Sequence, residues 1–247
     1  MEKDFYLQYA SVEDKHWWFL ARRQIIEQVI VRLNLPKNAQ ILEAGCGTGG
    51  NLQMLSHHGQ VWAMELDEIA CQLANKRQVT QVKSGSLPDN IPFNLQYDLI
   101  LILDVIEHLD NDLSALKALY YKLKPGGCLL VTVPAYKFLW SEHDEINHHK
   151  RRYRLKGLKQ LVKKAGYDIT YGSYFNTFLF PVVVIVRNLE KLLSKQNKNQ
   201  ISNDLVLPSK PVNQFLKWLF ASERYLIDRF SLPFGVSVLL LARKLHL

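Results

Sequence analysis

Hydrophobic and polar positions along the chain change their period many times, and the changes divide it into elements. Residues 5–33 carry an apolar stripe at Ile25, Ile26, Val29 and Ile30, with Trp17, Trp18 and Phe19 clustered ahead of it. That spacing predicts a helical region, which Pro36 closes. From there short apolar runs alternate with amphipathic stretches. The runs at 40–44, 60–65, 79–83, 97–103 and 127–133 read as strands, and 50–57, 68–76, 112–123 and 155–165 read as helices. This alternation predicts a doubly wound, mostly parallel sheet with helices on both faces. A sixth strand near 167–173 follows the Lys163-Lys164-Ala165-Gly166 helix stop, and a last one at 236–243 follows Pro233 and Gly235.

About sixty residues separate those last two strands, too many for a plain loop. They hold apolar stretches at 178–193, 212–220 and 224–230, divided by a polar tract at 194–204 that is expected to be mobile. The reading is a helical insertion over the sheet. Its first stretch, with Arg187, Lys191 and Lys195, is either a cap over an acceptor site or an amphipathic patch touching lipid.

The first strand ends in Ile41-Leu42-Glu43-Ala44-Gly45-Cys46-Gly47-Thr48-Gly49, and Leu52 and Leu55 then open a helix. Glycines at alternate positions suit a tight turn whose backbone approaches a ligand with no Cβ in the way. Strand, glycine turn and helix start make a nucleotide-type pocket at the end of a parallel sheet. A phosphate-binding P-loop is excluded, because no Gly-Lys-Ser/Thr follows. The spacing Gly45-x-Gly47-x-x-Gly50 also fits a dinucleotide site. Glu43 argues against that, since a carboxylate there repels a pyrophosphate and attracts a cation. A sulfonium- and ammonium-bearing ligand, S-adenosylmethionine, fits.

The stretch resembles the first motif of class I S-adenosylmethionine-dependent methyltransferases, and other segments extend the likeness over residues 40–175. Asp104-Val105-Ile106-Glu107-His108 is similar to a segment of the ubiquinone-type and related small-molecule methyltransferases, and Lys124-Pro125-Gly126-Gly127 is another mark. The resemblance implies a Rossmann-like, mostly parallel α/β sheet with an antiparallel last strand. It makes Glu65, twenty residues past Gly45, the acid for both ribose hydroxyls. Asp67 is the alternative, or a helix cap. Leu66 stands beside them. Ser86 occupies the place where the family usually has an adenine-binding Asp, so Ser86 Oγ and the Leu87 backbone take that role. Asp104 faces the methionine end. The N-terminal His16-Trp17-Trp18-Phe19 with Arg22 and Arg23 is similar to a lid, in which Trp18 shields the methyl group and Arg22 or Arg23 pairs with the cofactor carboxylate. His108 has packing or capping as its alternative to catalysis.

After the fifth strand comes a rim loop with Tyr136, Trp140, His143, Asp144, His148, His149, Arg151, Arg152 and Tyr153. It resembles a subgroup with Trp-Ser-x-His-Asp and His-x-Arg-Arg-Tyr. His143 or His149 is the expected general base, oriented by Asp144. Arg151 and Arg152 are expected to clamp an anionic acceptor group, and Trp18, Tyr136, Trp140 and Tyr153 to line its site. The competing role for the whole loop is to fix the fold. No standard metal-ligand spacing is present, so no metal is expected.

Composition narrows this only a little. The chain has 247 residues and a formal net charge of +8, with nine Lys or Arg against three acids in 137–166. That charge suits a solvated helix face, an anionic acceptor or an anionic membrane surface; no nucleic-acid module accompanies it. Three cysteines without metal spacing suit a reducing cytoplasm. The charged opening Met1-Glu2-Lys3-Asp4 does not read as a signal peptide, and no apolar run approaches the roughly 18 residues of a membrane span.

The expected organisation is one methyltransferase domain: a helical lid at 1–36, a cofactor-binding core at 37–174, the insertion at 175–234 and a final strand at 235–247. It is expected in the cytoplasm, with peripheral contact at the inner membrane face as an option. The expected reaction moves a methyl group to a small-molecule, saccharide, lipid-linked or peptide-carboxylate acceptor, at oxygen. The rivals are a non-catalytic cofactor-binding protein and an NAD(P)-dependent oxidoreductase.

Overall fold

The computed structural model describes residues 3–193, 205–227 and 229–245. The elements are α1 (Lys3–Val12), α2 (Trp17–Val31), β1 (Gln40–Ala44), α3 (Leu52–Ser56), β2 (Gln60–Glu65), α4 (Glu68–Asn75), β3 (Val82–Ser84) and β4 (Tyr97–Leu103). They continue with α5 (Asp112–Lys122), β5 (Leu123–Pro134), α6 (Glu142–Ile146), α7 (Leu155–Lys164), β6 (Asp168–Phe175), α8 (Phe180–Leu193), α9 (Lys210–Ile227) and β7 (Ser237–Arg243). The strands form one sheet in the order β3-β2-β1-β4-β5-β7-β6. β7 is antiparallel to both neighbours and the other pairings are parallel. The mostly parallel sheet with an antiparallel last strand and helices before it is as expected. The polar tract at 194–204 lies outside the described residues.

The near-continuous apolar run of β4 is what a central parallel strand needs, since both its faces are covered. Leu99, Leu101 and Leu103 point into a core shared with Ile25 and Ile26 of α2, Leu52 and Leu55 of α3, and Phe220 of α9. Ile100 and Ile102 point into the opposite core with Leu116 and Leu119 of α5 and Leu158 and Val162 of α7. Period-two alternation thus serves two layers from one strand.

Local chemistry moves several boundaries. The helical region expected over 5–33 consists of two helices. His16 is extended (φ −74°, ψ 134°) and its Nδ1 accepts from the Trp18 amide at 3.3 Å, capping α2. β3 starts at Val82 rather than 79, where Asn75 Oδ1 takes the Val82 amide. β5 begins at Leu123, four residues early: Gly126 and Gly127 exchange backbone hydrogen bonds with Lys244, so the expected turn is part of the sheet.

Candidate active site

The carboxyl ends of β1, β2, β4 and β5 open into a cavity of about 880 Å³, which lies beneath α1 and α2. This is the crevice where open α/β sheets bind ligands, and its size suits a nucleoside-sized molecule with a second reactant. On one wall is the glycine turn. Gly45 has φ +78°, and a Cβ there would meet Val105 Cγ2 at 2.6 Å. Gly47 has φ +56° and nothing within 4 Å of its absent Cβ, so the space it leaves belongs to the cavity.

Two carboxylates flank the turn. Glu65 is buried and rigidly held: Oε2 accepts from the Gly47 amide at 2.8 Å, and Oε1 accepts from Leu66 and Asp67 at 2.8 and 3.0 Å. Burial raises its pKa, against the pull of those amides. Asp67 caps α4, accepting from the Ile69 and Ala70 amides. Glu43 is 1% exposed; Oε1 accepts from Asn51 Nδ2 at 2.7 Å, and Oε2 has no partner among the described residues. Burial pushes its carboxyl up to about 7.

The lid and the end of β4 meet over the cavity. Asp104 has φ +55°, a strained backbone for a residue other than glycine. Its Oδ2 lies 2.5 Å from Arg22 Nη2, which also reaches Thr132 Oγ1 at 2.9 Å. Trp18 packs under the Arg22 guanidinium, 5.3 Å from ring centre to Cζ. Arg23 turns instead to the Glu13 carbonyl and Asp14. The expected pairing of Arg22 with a cofactor carboxylate is therefore joined by an internal partner, Asp104, that sequence reasoning did not supply. Leu66, Gly85, Ser86 and Leu87 line the cavity.

The rim loop divides. His143, His148 and His149 line the cavity, and Asp144 is fully buried behind His149, with Oδ1 2.7 Å from Nδ1. Burial pushes the Asp144 carboxyl up, but hydrogen bonds from His149 and Arg152 prevail and hold it well below the usual range. Asp144 also accepts from the Ser141 amide, closing a capping box on α6.

Arg151, Arg152, Tyr153, Tyr136 and Trp140, expected at the acceptor, all have partners inside the protein. Arg152 lines the cavity but spends its fork on Asp144, at 2.8 and 2.9 Å, and on the Ala135 carbonyl. Arg151 bonds Asp112 and the Leu109 and Asp110 carbonyls. Tyr153 is buried and donates to Asp112 at 2.8 Å. Tyr136 stacks on Tyr174 at 5.1 Å, and Trp140 donates to Glu145. Apart from Arg152, none of the five lines the cavity. Arg152 and Trp140 bond within the loop, Arg151 and Tyr153 reach Asp112 of α5, and Tyr136 packs on β6.

Sequence reasoning also missed Glu13. Its Oε1 accepts from Thr48 Oγ1 at 2.6 Å and from Arg77 Nη2 at 2.5 Å, latching the end of α1 to the glycine loop. A Cβ on Gly50 would stand 2.2 Å from Glu13 Oε2, so that glycine makes room for the latch. No periodicity signals a contact of this separation.

A family model described as "Methyltransferase domain" matches residues 18–171, more than half of the chain. The chain belongs to this methyltransferase family. The family removes the oxidoreductase rival, and the sheet order and crevice make it a class I S-adenosylmethionine-dependent methyltransferase. Malonyl-[acyl-carrier protein] O-methyltransferase of Enterobacter lignolyticus is 28% identical over 138 residues, 53% of this chain and 55% of that protein. Ubiquinone biosynthesis O-methyltransferase of Pseudomonas fluorescens is 26% identical over 105 residues, 39% of this chain and 44% of that one. The chain thus spans about half the length of these curated relatives.

Among solved structures, a chain from the complex between the Haloferax volcanii Trm112 methyltransferase activator and a methyltransferase superposes with a TM-score of 0.63. It shares 16% identity and the match covers 99% of this chain and 96% of that one. Haemonchus contortus phosphoethanolamine N-methyltransferase 2, in complex with S-adenosyl-L-methionine, gives 0.57 at 17% identity, over 90% of this chain and 52% of that one. At such identities the likeness is of fold.

The methyltransferase's own residues fit the cofactor. The open space at Gly47 admits a ligand, and the unpartnered buried oxygen of Glu43 calls for a cation or a donor.

Proposed function

We propose that this methyltransferase moves the methyl group of S-adenosylmethionine to an oxygen of a small or lipid-linked acceptor bound against His149. The observation that carries this reading is the Asp144–His149 pair, 2.7 Å apart, with His149 on the wall of the cavity that the glycine turn also lines. The cofactor supplies an electrophilic methyl on a sulfonium. The protein's part is to place two reactants in line and receive one proton.

Glu65 is placed to accept from ribose hydroxyls, and Leu66 to cover the sugar. Glu43 attracts the ammonium, while Ser86 and Leu87 border the base. Trp18, held by Arg22 and Asp104, excludes water. Asp144, ionised and buried, accepts from His149 Nδ1 and so leaves Nε2 as the basic nitrogen. An acceptor hydroxyl there loses its proton to Nε2 as its oxygen takes the methyl group.

Helix α8 supports an apolar acceptor. Val182, Ile185, Val186 and Leu189 fall at i, i+3, i+4 and i+7, a helical stripe of apolar side chains facing solvent. Val183 and Arg187 of the same helix line the cavity. Among the described residues no helix is long and apolar enough to cross a membrane. We read α8 as lying on a lipid surface and passing an acceptor inward.

The test uses a panel of hydroxylated and lipid-linked acceptors with labelled cofactor. His149→Ala should keep S-adenosylhomocysteine affinity within about twofold and lose on the order of 10²–10⁴ in rate. His143→Ala should lose far less. Full activity of His149→Ala would sink the assignment of the base. Tight cofactor binding with no turnover on any acceptor would favour the non-catalytic reading.

A further inference from the structure

Glu107 is fully buried and neither of its carboxylate oxygens has a partner among the described residues, although it lines the cavity. No step of the proposed reaction uses it. A polar group in that position needs an explanation, because burying a carboxyl with no partner is costly.

Its neighbours supply one. A ligand atom each from Glu107, His108 and His149 lie within 4.8 Å of one another. The rings of His108 and His149 stand edge to face, 4.6 Å between centroids. Each imidazole is already oriented through a second contact: Asp144 Oδ1 holds His149 Nδ1, and the backbone of Asn147 hydrogen-bonds His108. A carboxylate or carbonyl behind each histidine is the support that metal-binding imidazoles need. The Lys150 amide donates to the Glu107 carbonyl at 2.8 Å, pinning the rim loop to the turn that carries Glu107 and His108.

We infer that Glu107, His108 and His149 form a binding site for one divalent transition-metal ion on the wall of the cavity. Two imidazoles and one carboxylate are too nitrogen-rich for magnesium or calcium, which take oxygen sets. They match zinc-type sites that keep a position open. All three residues line the cavity, so an ion held by them would be within reach of a bound acceptor. This goes beyond the proposed base role, on whose cofactor assignment it rests. An ion held there would occupy His149 Nε2, so metal-loaded and metal-free protein would differ in whether His149 is available as the base. The site eluded the sequence because its ligands are forty residues apart and only two are adjacent.

The experiment is equilibrium dialysis of the metal-stripped full chain against zinc, with cobalt substitution read by visible absorption. The expected result is about one ion per chain, with an intense cobalt band of low-coordinate geometry. Glu107→Gln and His108→Ala should each weaken zinc binding by on the order of a hundredfold while S-adenosylhomocysteine still binds. His57→Ala, on the far end of α3, should change nothing. No stoichiometric zinc on the wild-type chain would overturn the site, whatever the variants do. So would equal zinc binding by Glu107→Gln and His108→Ala. Failure to bind S-adenosylhomocysteine would instead strike the cofactor reading.

Discussion

Arg22 Nη2 lies 2.5 Å from Asp104 Oδ2, so one ion pair ties the lid helix α2 to the end of β4. Arg22 is 8% exposed at its side chain and Asp104 29%. Removing one member leaves the other uncompensated. Asp104→Asn should cost about 3 kcal/mol of stability by urea denaturation, because it strands a buried guanidinium. The double variant Asp104→Asn/Arg22→Met should cost less than the sum of the two single changes. Additive losses would show that the pair is not coupled.

Glu65→Ala should weaken S-adenosylhomocysteine binding by roughly ten- to a hundredfold, the scale of about 1.5–3 kcal/mol for hydrogen bonds to a charged group. Asp67→Ala should act on stability instead, by about 1 kcal/mol, since Asp67 caps α4. Calorimetry on both variants decides. The reverse order of affinity losses would exchange the two acids.

Glu43 gives the free protein a pH dependence. Its folded carboxyl titrates near 7, above the ordinary 4.5, so the folded state keeps a proton that the unfolded chain has released. Stability therefore falls as pH rises from about 4.5 to 7, by up to roughly 3 kcal/mol from this group. Glu223, likewise raised to about 7 by burial, adds a slope of the same sign. Glu43→Gln should be more stable than wild type at pH 8 and equal to it at pH 4. It should also bind cofactor more weakly, and wild type should release protons on binding near pH 6.5. Denaturation at the two pH values, and calorimetry in buffers of different ionisation enthalpy, test both halves.

Gly47→Val should abolish cofactor binding and cost about 1–2 kcal/mol through its positive φ, since the new side chain points into open cavity. Gly50→Ala should behave differently. Its methyl displaces Glu13 and opens the latch, so cofactor should still bind but leave faster. Stopped-flow dissociation rates separate the two; equal rates for Gly50→Ala and wild type would deny the latch a role in retention.

The cluster around the glycine turn was legible in the sequence because its requirements are local. A positive φ demands glycine, and an acid at a strand end is fixed by the strand that carries it. Gly45, Gly47, Glu43, Glu65 and Asp104 accordingly all line one cavity. The packing of the rim loop was not legible. Arg151 and Tyr153 look like ligand-binding side chains in a linear reading, yet both bond Asp112, about forty residues away. An exposed-looking Arg-Arg-Tyr is a fastener whose partner only the fold reveals. The same holds for the N-terminal region, where His16 acts as a cap and divides the expected helical region into two helices.

The placement of β7 between β5 and β6 has a consequence for synthesis. During translation β6 emerges with no neighbour to join, because β5 and β6 do not touch. More than sixty further residues must leave the ribosome before residues 237–243 can slot between them. Until then the nascent chain displays two unpaired strand borders, that of β5 strongly apolar, the kind of surface on which chains stick to one another. The protein should therefore lean on chaperones that shield emerging chains, and slowing translation across 176–236 should lower its soluble yield.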